Sequence, residues 1–222
     1  MKRSLVAGLA LVLIAGSAMA APMGMSVDVA TYGDGLIEER NPDTNFDGET
    51  QACVTGRDRA RAMIIGFDLS SYAGETVLGD GTFTIYQGWL QDPNLPTVVY
   101  ELTGGAFDEA TVTFNNYVGV GAADCTPVLG ASLAVISGDS AWGEVSVAIP
   151  QATLQAMVDG TVSGLAMSSA PESYINNCWR CREWGDAPVA ADDPTLHFDV
   201  TPEPTSLILL GLGGLAALRR RR

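Results

Sequence analysis

The sequence has very few basic side chains outside its two ends. Its single lysine is Lys2, and residues 21–200 contain six arginines against 25 acidic residues, a net charge of −19. Nucleic-acid binding depends on neutralising phosphates with lysine and arginine, so this composition excludes nucleic acid as a partner. The same charge favours solubility and attracts divalent cations.

Histidine is also scarce, since His197 is the only one. It lies in an alternating strand pattern with Asp199 on its own face, and no serine or cysteine elbow motif accompanies it. The adjacent acids Asp108 and Glu109 would point to opposite faces of a strand and could not flank one glycosidic bond. We therefore expect no catalytic residues, a structural histidine and no enzyme.

The apolar runs at both ends are short against a hydrocarbon core of about 30 Å. Residues 1–20 have a basic start, an apolar stretch from Leu5 to Ala15 and the small-x-small site Ala18-Met19-Ala20. This layout is typical of a secretory signal peptide, which the secretion translocon would recognise. The mature chain is then expected to begin at Ala21 and to form one domain over residues 21–200.

Residues 201–222 form a separate C-terminal segment. Two prolines end the domain, an apolar run from Leu207 to Leu218 follows, and an arginine cluster ends the chain. The residues that define this pattern are Pro202, Glu203, Pro204, Arg219, Arg220, Arg221 and Arg222. This arrangement resembles the PEP-CTERM sorting signal. The resemblance implies recognition by an exosortase, transient contact of an apolar helix with the inner membrane, and cleavage near the Pro-Glu-Pro element.

Four cysteines form an even set: Cys53, Cys125, Cys178 and Cys181. In an exported domain this favours two structural disulfides, with three possible pairings. Cys178 and Cys181 also have the spacing of a redox or zinc pair, but no second pair with metal-binding spacing accompanies them.

Short alternating apolar stretches between the ends predict β-strands. Met63, Ile65, Phe67 and Leu69 share one face, as do Phe83 and Ile85. Further strands are expected at residues 98–102, 110–114, 145–149, 164–167 and 196–200, with one helix at 151–158. The pattern favours an all-β fold, an antiparallel β-sandwich of jelly-roll type with one short helix, followed by the apolar sorting helix.

Three stretches carry a second resemblance: "NPDTNF" at 41–46, "RAMIIGFDLSS" at 61–71 and "FDEATVTFNNY" at 107–117. They are similar to segments of DNRLRE-type domains, and residues 158–165 and 194–196 fit in the same order. The resemblance implies a β-sandwich similar to carbohydrate-binding modules, found among exported polysaccharide-related proteins. Phe107 stands where that pattern has tryptophan, and the cysteine-bearing stretches depart from it, so the resemblance does not identify a ligand.

The candidate carbohydrate-binding residues are Trp179, Arg180, Arg182 and Trp184. Indole faces stack on sugar rings while arginine binds hydroxyls; packing of the tryptophans against the sandwich edge is the alternative. Trp89 is a weaker candidate, and Trp142 is expected in the core.

The candidate metal ligands are Asp43, Asn45 and Asp47, which alternate before Gly48 like the first half of a calcium loop. Position twelve of that loop is Val54 and not glutamate, so the segment is not an EF-hand. A solvated turn is the favoured alternative, and Ca²⁺ is the only cofactor considered.

These observations predict an exported, exosortase-sorted cell-surface or extracellular-matrix protein that binds extracellular polysaccharide. A purely structural surface or biofilm-matrix protein is the alternative. A secreted polysaccharide-degrading enzyme is the least favoured, because it would need two carboxylates converging in a cleft.

Overall fold

A computed structural model describes residues 24–49, 51–55, 60–90, 96–136, 143–169, 177–181 and 193–201. The expected signal peptide and the sorting segment from residue 202 onward, with its predicted apolar helix, lie outside the described residues, as do Trp142, Arg182 and Trp184. In the part of the chain that the structure describes, no helix has the length and apolar character needed to cross a membrane.

The described residues form eleven strands, two short α-helices and 3-10 turns at Ser70–Tyr72 and Thr126–Val128. The strands are β1 (Met25–Glu38), β2 (Gln51–Val54), β3 (Arg61–Phe67), β4 (Thr76–Val77), β5 (Gly81–Leu90), β6 (Thr97–Leu102), β7 (Leu129–Ile136), β8 (Gly143–Ile149), β9 (Gly164–Ser169), β10 (Asn177–Arg180) and β11 (Thr195–Thr201). The helices are α1 (Phe114–Tyr117) and α2 (Gln151–Val158). The predicted all-β class is confirmed, and α2 spans the predicted helix.

The long strand β1 joins two groups of antiparallel strands. Its residues 25–30 pair with β11, and from Thr31 onward it pairs with β3, with a bulge between Thr31 and Gly33. The β11 group continues through β5, β10 and β2, with β4 and β8 attached; the β3 group continues through β9, β6 and β7. The Thr31 hydroxyl lies 2.7 Å from the carbonyl oxygen of Gly33 and 2.8 Å from that of Gly66, which fastens the bulge to β3.

The main hydrophobic core draws side chains from both groups of strands. Phe83 and Phe198 come from the β11 group, Met63 and Phe67 come from the β3 group, and α2 adds Leu154, Met157 and Val158. The rings of Phe67 and Phe83 meet edge to face with centroids 6.2 Å apart. Each large side chain buried in this way contributes roughly 1.5–3 kcal/mol, so this core provides the largest stabilising term.

A second cluster covers the opposite face of β3 and β9. Ala62 and Ile64 point away from the main core and pack against Leu102, Phe114 and Val128. Residues 103–128, between β6 and β7, supply most of this cover. Strand β9 is therefore buried at every position, and β3 at every position after Arg61.

The predicted strand at residues 110–114 is wrong. The Asp108 carboxylate accepts hydrogen bonds from the N–H of Ala110 (3.1 Å) and the hydroxyl of Thr111 (3.2 Å), which makes a turn. Thr113 then caps α1: its hydroxyl accepts from the N–H of Asn116 (3.3 Å), whose side chain accepts from the N–H of Thr113 (2.8 Å). Because these short polar side chains bind nearby backbone groups, the alternating stretch forms a turn and a helix.

Candidate binding groove

Three loops meet at one end of the β3 group and line an open cavity of about 630 Å³, which we call the end groove. One loop follows β3, a second follows β6, and the third joins α2 to β9. They converge because Gly66 and Leu102, near the ends of β3 and β6, both pair with Gly164 at the start of β9. The volume lies within the range of about 300–1,000 Å³ that small-molecule sites occupy.

Two aromatic side chains, Tyr32 and Phe107, form one wall of the end groove. Their ring centroids are 5.7 Å apart with the planes inclined at 43°. Tyr32 is 37% exposed and Phe107 is half-buried, so a ligand can reach the wall. Tyr32 lies at the bulge in β1, and its ring occupies space that Gly66 leaves empty.

The floor of the groove is apolar and belongs to the folded core. Phe67, Leu69, Met157 and Val162 line it, and all four are part of the main hydrophobic core. A floor made of core side chains is held in place by packing, so the cavity is formed before a ligand arrives.

The rim of the groove carries acidic and hydroxyl groups. Asp68 accepts a hydrogen bond from the N–H of Ser70 (3.0 Å), and hydrogen bonds from Ser70 hold the pKa of the Asp68 carboxyl below its usual value. Asp159, on the loop after α2, accepts from the side-chain amide of Gln155 (3.0 Å). The described residues that line the groove include neither lysine nor arginine, so the rim presents acceptors and negative charge.

Tyr117 holds the loop that carries Phe107. Its ring packs edge to face on Phe107 with centroids 5.9 Å apart, and its hydroxyl donates to the carbonyl oxygen of Gly105 (2.7 Å). Burial raises the pKa of Tyr117 to about 12, so this phenol stays protonated at neutral pH. The aromatic wall is therefore supported from behind.

The carbohydrate surface predicted around Trp179 needs correction. Trp179 is 1% exposed and packs in the main core from β10, so its indole offers no face to a sugar ring. Arg180 is half-buried, with its guanidinium carbon 3.8 Å from the ring centroid of Tyr86. Arg182 and Trp184 lie outside the described residues, and so does the side chain of Trp89. For Trp179, the alternative of packing is correct.

The structure contains a disulfide between Cys53 and Cys178, which lie opposite each other on β2 and β10. The prediction of a second disulfide is wrong: Cys125 and Cys181 are buried thiols that lie in different hydrophobic clusters. Because Cys178 is bonded to Cys53, it does not form a redox or zinc pair with Cys181. Among the described residues, no group of three or more His, Cys, Asp and Glu side chains is arranged to hold a metal ion.

The three residues predicted to bind calcium make hydrogen bonds within the protein. The Asn45 amide donates to the carbonyl oxygens of Glu109 and Val112, both at 2.8 Å, while its oxygen accepts from the N–H of Asp47 (3.0 Å). Asp43 accepts from the side-chain amide of Asn115 (2.7 Å). These bonds fasten the loop after β1 to the cover of the second cluster. Calcium binding stays a prediction.

His197 contacts two residues of β1, Ser26 and Asp28, and the sequence pattern does not predict these contacts. Its Nδ1 lies 2.6 Å from Asp28 Oδ1 and its Nε2 lies 3.3 Å from Ser26 Oγ. Ser26 and Asp28 share one face of β1, and His197 is directly opposite Asp28 on β11. All three side chains are exposed and none lines the end groove, so we interpret them as a hydrogen-bonded link between two strands.

Comparison with known proteins identifies the C-terminal segment. Residues 200–222 match the model of the PEP-CTERM protein-sorting motif. The chain carries a PEP-CTERM sorting motif. The motif indicates an exported protein that is sorted toward the cell surface with an exosortase as its processing partner. The match does not extend over the mature domain, so the resemblance to DNRLRE-type domains stays a prediction, and no curated protein matches the chain.

Proposed function

We propose that this PEP-CTERM protein is a non-enzymatic cell-surface or extracellular-matrix component whose domain binds extracellular polysaccharide in the end groove. The secretion translocon would export it, and the sorting helix would contact the inner membrane before cleavage. Two groups of strands joined through β1, with a core drawn from both, support a β-sandwich of jelly-roll type as the scaffold.

The observation that carries this proposal is the aromatic wall of Tyr32 and Phe107 beside the polar rim. Aromatic rings stack on the C–H faces of sugars, and the carboxylates of Asp68 and Asp159 can accept hydrogen bonds from sugar hydroxyls. An apolar surface with a few convergent polar groups is the usual layout of a ligand site.

The state of Asp68 argues against this residue as the general acid of a glycosidase. Glycoside hydrolysis needs a protonated carboxylic acid near neutral pH, which requires a raised pKa. Hydrogen bonds from Ser70 lower the pKa of Asp68 instead, so this carboxyl is ionised and cannot donate a proton to a leaving group.

Affinity electrophoresis of the purified protein through gels containing neutral, uronate or amino-sugar polysaccharides tests the proposal. We expect saturable retardation by at least one polysaccharide. A uronate polymer should not retard the protein, because both carry negative charge. Retardation that requires calcium and is abolished by chelator would instead support the predicted calcium loop at Asp43, Asn45 and Asp47. If no polysaccharide retards the protein with or without calcium, the binding function is refuted and the purely structural matrix role stands.

A further inference from the structure

We infer that the end groove selects glycans whose sugars carry a free amino group, so that its preferred occupant is a cationic amino-sugar polymer. This inference rests on the proposed function and narrows it. It concerns the charge of the ligand, which the proposed function leaves open.

The groove has carboxylates on two of its loops. Asp68 follows β3 and Asp159 follows α2, and both side chains are exposed at the cavity that both residues line. No lysine or arginine is present among the described lining residues to neutralise them. An ammonium group bound between these loops would be attracted to both carboxylates, and hydrogen bonds between charged partners are about twice as strong as neutral ones.

The aromatic wall favours the same ligand. The faces of Tyr32 and Phe107 carry negative quadrupole charge, and an ammonium group over such a face gains about 0.5–1 kcal/mol at exposed sites. Tyr32 and Asp68 line the same cavity. Burial raises the pKa of the Tyr32 hydroxyl, and the charge of Asp68 adds to this rise. The wall and the rim can therefore act on a single amino sugar.

The net negative charge of the domain also favours a cationic ligand. Residues 21–200 carry a net charge of −19, which attracts a polycation and repels a uronate polymer within a Debye length of about 8 Å. An N-acetylated polymer has the same ring and linkage as its de-acetylated form but no charge. It can stack on the wall and donate hydrogen bonds from its hydroxyl groups, but it gains no charge attraction to the carboxylates.

Three oligosaccharides of equal length test the inference: N-acetylglucosamine, glucosamine and galacturonate oligomers. Isothermal titration calorimetry of the purified protein at mildly acidic pH should give an affinity for the glucosamine oligomer at least tenfold above that for the acetylated one. The galacturonate oligomer should not bind without calcium. The preference should shrink as NaCl rises from about 0.05 to 0.5 M, because salt screens exposed charges.

Variants that each remove one negative charge show whether the preference for glucosamine comes from the groove. Asp68→Asn and Asp159→Asn should each reduce the preference for glucosamine several-fold, whereas Asp199→Asn, exposed on β11 and outside the groove, should leave it unchanged. Equal affinity for the acetylated and free oligomers would overturn the inference and leave the proposed function intact. An equal effect of Asp199→Asn would also overturn it, because the preference would then come from net charge. If no glycan binds in this titration or in the gels, both proposals fail.

Discussion

The ring of Tyr32 lies over the α-carbon of Gly66, in the space that any side chain at position 66 would fill. Gly66→Ala should therefore push Tyr32 out of the aromatic wall. We expect a loss of about 1–3 kcal/mol in the free energy of unfolding, as for other overpacked positions, together with weaker glycan binding.

Urea denaturation and calorimetric titration measure the two effects. Gly79→Ala is the matched control, because a Cβ there would meet no atom within 4 Å. Unchanged glycan affinity in a folded Gly66→Ala protein would contradict the placement of Tyr32 in the site.

The disulfide between Cys53 and Cys178 closes a loop with a sequence separation of 125 residues. Replacing both cysteines with alanine should lower the free energy of unfolding by about 2–5 kcal/mol, because the unfolded chain gains freedom. Alkylation of the denatured, unreduced wild-type protein should label Cys125 and Cys181 only. If no thiol were labelled, the prediction of a second disulfide would be correct. If four thiols were labelled, the disulfide between Cys53 and Cys178 would be refuted.

Asn45 provides a test that separates a structural role from calcium binding. Its amide donates to two carbonyl oxygens, so Asn45→Asp would place a carboxylate against both of them. We expect a loss of about 1–3 kcal/mol that calcium does not restore, since both carbonyls lose their donor. If Asn45→Asp instead raised calcium affinity without loss of stability, the calcium-loop prediction would be correct.

Alkaline pH should destabilise the fold through a buried thiol and a half-buried phenol. Burial raises the pKa of the Cys125 thiol from 9.0 to about 12 and that of Tyr117 from 10.0 to about 12. The unfolded chain releases these protons first, so their contribution to stability is complete below about pH 9 and is lost as pH rises toward 12.

Urea midpoints measured between pH 7 and 11 should therefore fall, and Tyr117→Phe should make the fall less steep. The Cys125 thiol should also resist iodoacetamide in the native protein at pH 8–9. A flat stability profile, or rapid native alkylation of Cys125, would contradict the burial of these groups.

Local alternation of apolar residues predicted much of the fold. Strands β3, β5, β6, β8, β9 and β11 and helix α2 follow from apolar faces such as Met63, Ile65 and Phe67, which do face the main core. Strand β1 was missed because the bulge after Thr31 shifts its alternation and because it buries acidic residues. Glu38 is 1% exposed and forms an ion pair of 2.9 Å with Arg61, a partner that the sequence does not reveal. Strands β2, β4, β7 and β10 were also missed.

The end groove could not be predicted from the sequence. Tyr32 belongs to the missed strand, while Phe107, Asp68 and Asp159 come from three separate loops that only the strand register brings together. The available signals were Asp68, Phe107 and Asp159, which lie in stretches that resemble DNRLRE-type domains; of these, Phe107 stands at an aromatic position of that pattern. The sequence predicted Trp179 as a sugar-binding residue, but its burial depends on the pairing of β10 with β2 and β5, which the sequence does not reveal.

The most direct test of the account is the contribution of the aromatic wall to glycan affinity. Tyr32→Leu and Phe107→Leu keep an apolar side chain but remove the aromatic face. Tyr86→Leu is the control, because it removes an aromatic face beside Arg180, in the region that the sequence predicts to bind sugar. Calorimetric titration with the glycan that the wild-type protein binds should give about tenfold weaker affinity for the first two variants, roughly 1.4 kcal/mol, and no change for Tyr86→Leu. Unchanged affinity in both wall variants, with loss in Tyr86→Leu, would place the binding surface at β10 and contradict the account.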